Sequence, residues 1–535
     1  MRRYLESVQR VFPSPAGWFI ARYLQRFRVP RDLLRVAARR YAQRIALITP
    51  AGQLTFAQLA DRVWRLADAL AARGVRRGDR VGYVASGGQD QLEILLAGYE
   101  LGAVLIGFTP VHELEVIASA LADAKPKAFF YDHQTRPDVG QLLADSFPET
   151  LLVADAEQHQ RLIDAGRPLR CREPLLASDL ASLGFTSGTT GSPKALSVTQ
   201  GILLTSLRLS VLNVRVRLGG QDVSMPGMPI SGAGSGLILP SLAGGTTLVI
   251  PADCRTATLI EAIQQHRVTR VFVTPSTLID LLDWPGLEQY DLSSLRNIIY
   301  GTAPTPSAKV AEAVRRFGAI LQQGYGMAEV LPPVSLLQME DHGVGHDPAP
   351  REVLRSVGRP VPQARVRIVT AAGVELGPGE RGEVEVQSPT TFSGYWGQPE
   401  LTAKAFRDGF LRTRDYGYLD VAGRLVILDR DVDVIGTGER RVFPREVEEV
   451  VHEHPAIKEA CLIADEDGRL VLAASLRRSW RERPVEEVRQ ELAAFLAAQL
   501  LDWQMPARIE VFQELPRSYL NKVLRRDLRA GLVAK

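Results

Sequence analysis

From Leu54 to Tyr131 the chain alternates helix-like and strand-like stretches, and no other feature limits its fold as tightly. Leu54–Leu59, followed by Arg62, Leu66, Ala67, Leu70 and Gly74, has the spacing of a turn, an amphipathic helix and a glycine stop. Gly78–Val84 reads as a strand, Leu92–Leu101 as a helix ended by Gly102, and Ala103–Ile106 as the next strand. Residues 111–124 make another helix and Ala128–Tyr131 another strand. Strands separated by helices form βαβ units, so the expected class is α/β with mixed, mostly parallel sheets. At 535 residues the chain is too long for one core, and at least two domains are expected.

Composition excludes several classes. A net charge of +3, with no basic patch interleaved with aromatics, gives no case for a nucleic-acid partner. Cys171, Cys254 and Cys461 are far apart and form neither a disulfide framework nor a metal cluster, which suits a reducing, cytoplasmic setting. The close pairs His342/His346 and His452/His454 lack cysteine neighbours and make no zinc set. No apolar run reaches transmembrane length. Residues 1–30 form a basic, partly apolar N-terminal extension. It reads as a helix packed on the body or as an amphipathic segment in peripheral contact with a membrane surface, and its lack of acids also suits a transit peptide.

The run Leu183–Val198 carries the chemistry. Thr186, Ser187, Thr189 and Thr190 surround Gly188 and Gly191, and Pro193-Lys194 closes the run between two strand-like stretches. Glycines let backbone approach an anion, free N–H groups and hydroxyls can bond phosphate oxygens, and Lys194 adds a point charge. A Ser/Thr/Gly surface turn has the same composition. The spacing is not that of a Walker A loop, which needs four residues between its glycines and then Gly-Lys-Ser/Thr. Thr-Ser-Gly-Thr-Thr-Gly-x-Pro-Lys resembles instead the phosphate loop of the adenylate-forming superfamily. That superfamily includes acyl-CoA synthetases, 4-coumarate-CoA ligases, peptide-synthetase adenylation domains and firefly luciferase.

Further motifs follow in family order over residues 31–530. Gly301-Thr302-Ala303-Pro304 is similar to the Gly-Gly-Ala-Pro segment that lines adenine. Gly324-Tyr325-Gly326-Met327-Ala328-Glu329 resembles Tyr-Gly-x-Thr-Glu, which implies that Tyr325 stacks on adenine and Glu329 holds Mg²⁺ on the phosphates. Ala328 replaces the family threonine, and Met-Ala-Glu is also the pattern of acyl-AMP ligases that load a carrier protein. Asp415 matches the aspartate that binds the ribose, with Arg414 in place of glycine, and Arg430 matches the ribose arginine. Val432 stands at the hinge position. Gly438, Arg440 and Arg441 stand in the thiol-side loop, where the two arginines would meet CoA phosphates or form a solvated turn. Ser231, Gly232, Ala233 and Gly234 stand where the family flanks its acyl pocket, and their small size suits a roomy pocket or close helix packing. Near the C-terminus, Pro516–Arg526 resembles Pro-Arg-Thr-x-x-Gly-Lys-x-x-Arg, with Asn521 for glycine and Lys522 as the catalytic lysine.

The resemblance implies an adenylation domain over 31–430, with a small β-barrel-like subdomain, and a small mobile α+β lid over 431–535. It implies that ATP, Mg²⁺ and a carboxylic acid give acyl-AMP, which is then passed to CoA or to a carrier protein's phosphopantetheine. A medium- or long-chain fatty acid is expected, with an acyl-AMP ligase serving a carrier protein or an aryl-CoA ligase as alternatives. A degenerate scaffold of the same fold also stays open, because Thr302, Ala328, Arg414, Val432 and Asn521 depart from the family pattern.

Overall fold

The computed structural model describes residues 15–85, 87–171, 173–186, 194–214, 217–436, 440–519 and 521–533. The chain packs as two compact units. The first runs to Phe272 and includes Gly326–Val334 and Ser388–Phe406; the second holds Val273–Tyr325, Ser335–Gln387 and Arg407 onward.

In the first unit the strand–helix alternation is present. One sheet orders Leu151–Val153, Ala128–Phe130, Arg80–Val84, Val104–Phe108, Leu180–Thr186 and Lys194–Thr199. All neighbours are parallel except the last two, which form an antiparallel hairpin. The Phe108 ring stacks against Phe185 at 5.6 Å and Phe129 at 6.5 Å in the core behind this sheet. Helix Gln89–Leu101 ends at Gly102 as expected: its φ is 73°, and a Cβ there would fall 2.3 Å from Leu175 Cδ2. Helix Phe56–Ala72 starts on a capping box in which Thr55 and Gln58 satisfy each other's amides. A second sheet orders Arg270–Val273, Val223–Pro226, Thr247–Val249, Ile45–Thr49 and Gly52–Thr55.

The N-terminal helix Pro15–Leu24 packs on this unit. Leu24 and Phe27 are fully buried, and the Tyr23 hydroxyl donates to the Ala243 carbonyl at 2.8 Å. These contacts favour the packed-helix reading for residues 15–27; residues 1–14 lie outside the described ones. No helix among the described residues is long and apolar enough to cross a membrane.

The second unit holds a parallel strand pair, Asn297–Gly301 and Leu321–Met327, beside helices Pro275–Leu282 and Ser307–Phe317. The expected barrel-like part is an antiparallel meander of Arg365–Val369, Gly382–Gln387, Phe410–Leu419 and Leu425–Arg430. The C-terminal part is α+β. Strands Ile457–Ala464, Leu470–Leu476 and Arg508–Phe512 form a sheet covered by helices Pro444–Val451 and Val485–Ala497, around a core that includes Val447, Leu472 and Leu492.

Two buried histidines of this unit are held neutral. His342 Nδ1 lies 2.7 Å from the Gln338 carbonyl, so it must donate; Nε2 then accepts from the Tyr300 hydroxyl at 2.9 Å. Burial lowers His342 to about 4 and, with the charge of Lys309, lowers His452 to about 3. Below pH 6.5 the unfolded chain takes up these protons and the folded one does not, so stability is lost as pH falls. Urea unfolding should show a loss of about 1.4 kcal/mol per pH unit for each histidine between pH 6 and pH 4. His342→Gln keeps a donor and an acceptor but takes up no proton, and should remove one such increment from the slope.

Candidate active site

The residues singled out by motif fall into two groups, one in each unit. The first group sits on the hairpin Leu180–Thr186/Lys194–Thr199, whose last paired residues are Thr186 and Lys194. Ser187, Gly188, Thr189, Thr190 and Gly191 lie outside the described residues. Lys194 is placed with its Nζ 5.8 Å from the centre of the Tyr395 ring, and the Tyr395 hydroxyl lies 3.5 Å from Glu329 Oε1.

The segment Thr391–Trp396 brings these together. On one side Trp396 N donates to Ala195 O at 2.8 Å and Ser197 N to Gly394 O at 2.9 Å. On the other, Phe392 N donates to Glu329 O at 2.8 Å and Thr391 bridges Val330. The motifs read from the sequence assign no role to Tyr395; an aromatic side chain that meets two residues distant in the chain carries no sequence signature. The Glu329 carboxylate makes no ion pair among the described residues, which leaves it free to take a hard cation. Gly326 is fixed by Pro332, whose Cα would lie 2.9 Å from a Cβ there, and Met327 and Ala328 follow, with Ala328 exposed.

Also in the first unit, Ser231 and Gly232 lead into the short helix Ala233–Leu237. A Cβ at Gly234 would fall 2.6 Å from the Met228 carbonyl oxygen, so this glycine serves close packing. The Ser231 hydroxyl is buried without a hydrogen-bond partner among the described residues.

The second group surrounds the end of strand Asn297–Gly301. Gly301 is required there, because a Cβ would meet the Gly324 carbonyl oxygen at 2.6 Å. Tyr325 donates to Asp415 Oδ2 at 2.6 Å, and Arg430 Nε lies 3.5 Å from Asp415 Oδ1. Asp415 and Arg430 are register partners across antiparallel strands, which is why two residues fifteen apart meet. Asp415 is buried, and burial with the Asp415 charge raises the Tyr325 hydroxyl well above its ordinary value, so it stays a donor. The sequence gives no sign of this tyrosine–aspartate bond.

Lys522 lines a cavity of about 200 Å³ together with Ser276, Ala303, Pro304 and Asn521. Its ammonium makes no hydrogen bond or ion pair among the described residues. Burial, and then the positive charge of Arg430, lower it to about 8. Val432 is exposed in the short helix Asp431–Asp433. Arg440 and Arg441 are exposed, with the Arg441 guanidinium 5.8 Å from the Tyr416 ring; Gly438 lies outside the described residues.

Three departures from the family pattern share one backbone property. Thr302, Arg414 and Asn521 replace glycines and have φ of 74°, 61° and 56°. The left-handed backbone that glycine favours is thus retained with a side chain in place. Arg414 is exposed, so Arg414→Gly removes strain and little else. It should raise stability by about 1 kcal/mol, read as a higher thermal midpoint.

Among the described residues, Asp90, Glu93 and His159 form a further acidic–histidine group. Arg62 at 2.5 Å and His159 at 2.8 Å already pair Glu93, so this group is an internal ion-pair network of the first unit.

Comparison with known proteins identifies the family. A family model described as AMP-binding enzyme matches residues 34–396, and one described as AMP-binding enzyme C-terminal domain matches 446–522. The chain is 32% identical over 518 residues to the medium/long-chain-fatty-acid–CoA ligase FadD8 of Mycobacterium tuberculosis, covering 93% of this chain and 89% of that one. It is 31% identical to a feruloyl-CoA synthase of an Amycolatopsis species, covering 89% and 93%. The amide bond synthetase McbA of Marinactinospora thermotolerans superposes with a TM-score of 0.80 at 30% identity, covering 94% of this chain and 99% of that one. With its motifs in order and its family model spanning most of its length, the chain belongs to the AMP-binding, adenylate-forming enzymes.

Proposed function

We propose that the protein activates a carboxylic acid with ATP and passes the acyl group to the thiol of CoA. A carboxylate oxygen attacks the α-phosphorus, the bond from that phosphorus to the bridging oxygen breaks, and pyrophosphate leaves. The thiol sulfur then attacks the acyl carbon, its proton is lost to solvent, and AMP leaves with the oxygen the acid brought. Both reacting groups of the first step are anions, so a cation between them is what the step most needs. The observation that carries this reading is Lys522, a lysine without an ion pair among the described residues, lining one cavity with Ala303 and Pro304.

In this reading Asp415, held by Tyr325 and Arg430, takes the ribose hydroxyls, and Gly301–Pro304 with Tyr325 takes adenine. Lys194 and the loop Thr186–Gly191 take the leaving phosphates. Glu329 would hold Mg²⁺, which offsets phosphate charge when bound. Residues 431–535 act as the lid that carries Lys522, turning near Val432, with Arg440 and Arg441 on the thiol side.

A medium- or long-chain fatty acid is the substrate we favour, since FadD8 is named for such acids. The feruloyl-CoA synthase match supports an aryl acid as the second reading. Pyrophosphate release from ATP, measured with acids from acetate to palmitate and with cinnamates, with and without CoA, tests this. Release with decanoate to palmitate and CoA-dependent thioester supports the first reading; release with cinnamates alone supports the second. Acyl-AMP accumulating with CoA present points to a carrier protein as acceptor, and no release with any acid sinks the proposal.

A further inference from the structure

The ammonium of Lys522 has no partner of its own among the described residues, so its placement depends on the backbone that carries it. Three hydrogen bonds tie that backbone to Ser518: Ser518 N donates to Lys522 O at 2.7 Å, Asn521 N to Ser518 O at 2.8 Å, and Lys522 N to Ser518 Oγ at 3.2 Å. Asn521, next to the lysine, sits in the turn at φ 56°. Its side chain does what glycine cannot. The carboxamide nitrogen donates to Thr277 Oγ1 at 2.9 Å, and the carboxamide oxygen accepts from Arg517 Nη1 at 3.2 Å. Arg517 is a donor only, so the oxygen must face it and the NH₂ must face Thr277.

Both anchors are fixed. Arg517 forms a bidentate pair with Asp280, at 2.6 and 3.2 Å, and a second pair with Glu459. Burial pushes the Asp280 carboxyl up, but the hydrogen bonds and charge of Arg517, helped by Lys458, more than offset this and hold it below its ordinary range. Thr277 is fully buried, and its hydroxyl lies 2.9 Å from that of Thr274, the cap of helix Pro275–Leu282. That helix also supplies Ser276 to the wall of the Lys522 cavity.

We infer that Asn521, through Thr277 and Arg517, is a positioning residue that fixes the Lys522 turn to helix Pro275–Leu282. Lys522 is thereby presented to the cavity without needing a partner that would neutralise it. The inference rests on the reading of Lys522 as the catalytic cation. Asn521→Gly keeps the left-handed backbone and removes the carboxamide. Thr277→Val removes the acceptor at similar volume, and Thr277→Ser restores it.

The test uses the full chain with ATP and either dodecanoate or ferulate, following acyl-AMP formation at saturating substrates. Asn521→Gly and Thr277→Val should each lower the rate constant about tenfold while the KM for ATP stays within twofold, as expected for lost positioning rather than lost binding. The double variant should be no slower than either single one, because both break the same bridge. Thr277→Ser should recover most of the rate. A readout that needs no turnover is the titration of the Lys522 ε-carbon by NMR, in a chain with only eight lysines. Its midpoint should rise by about one pH unit in Asn521→Gly as the loosened turn admits water.

Asn521→Gly and Thr277→Val at wild-type rate, with the Lys522 titration unmoved, would overturn the inference, as would Thr277→Ser no better than Thr277→Val. Where Lys522→Ala abolishes the rate but Asn521→Gly does not lower it, only the positioning role fails. Where Lys522→Ala itself leaves the rate intact, the catalytic reading of Lys522 fails first.

Discussion

Lys522→Ala is expected to lower acid-dependent acyl-AMP formation by about 10²–10³-fold, with little change in the KM for ATP, because in the proposed reading the cation acts where charge develops in the transition state. The structure makes the size of the effect reasonable. Among the described residues Lys522 makes no ion pair, and the acids that line the same cavity, Glu448, Glu449 and Glu459, are paired with Arg525, Arg445 and Arg517. Burial, with Arg430, brings its titration down to about 8. The protonated form is the active one, so the rate should be level below pH 8 and fall about tenfold per pH unit above it. A pH–rate profile of the adenylation step measures this directly. A profile that stays level to pH 10 would mean that the lysine charge is not needed.

The second large effect is expected at Asp415. Its carboxylate accepts from Tyr325 at 2.6 Å on one oxygen and faces Arg430 at 3.5 Å on the other, so both oxygens have a partner. In the proposed reading Asp415→Ala removes the acceptor for the ribose, and it also takes away the carboxylate to which the Tyr325 hydroxyl donates. Hydrogen bonds to a charged group contribute about 1.5–3 kcal/mol each, so the KM for ATP should rise about 10²-fold. Tyr325→Phe keeps the ring and loses only the hydroxyl, and should cost about tenfold at most. Equal and large losses in both variants would place the tyrosine hydroxyl, not the carboxylate, at the ribose.

Much of this was legible before the fold was known, for a definite reason. The strand–helix alternation from Leu54 onward and the glycine stop at Gly102 follow from local periodicity and from backbone conformations only glycine takes easily, so sequence reports them directly. Asp415, Arg430 and Lys522 were found by register with family motifs, and the structure places all three in one unit. The interactions that hold them were not legible. Tyr325 meets Asp415 ninety residues away, and Tyr395 stands between Lys194 and Glu329, through pairings that no local pattern encodes.

The departures at Thr302, Arg414 and Asn521 read from sequence as losses of glycine and lent weight to a degenerate scaffold. All three take the left-handed backbone that glycine favours, and at Asn521 the side chain adds two hydrogen bonds. A chain drifting from function would have no reason to keep three left-handed residues around the same set of site residues. That argument weighs against the scaffold. At Gly234 the structure favours close packing over open volume, so pocket size has to be sought at other residues.

The most direct test of the central claim, that this protein forms an acyl-adenylate, is the fate of oxygen from the acid. The reaction is run with ATP, CoA and dodecanoate or ferulate labelled with ¹⁸O in both carboxylate oxygens, and AMP and pyrophosphate are examined by mass spectrometry. The account predicts one ¹⁸O in AMP and none in pyrophosphate, because the attacking oxygen stays on the α-phosphorus when the thiol displaces AMP. Label in pyrophosphate or phosphate, or thioester formed with unlabelled AMP, would contradict it.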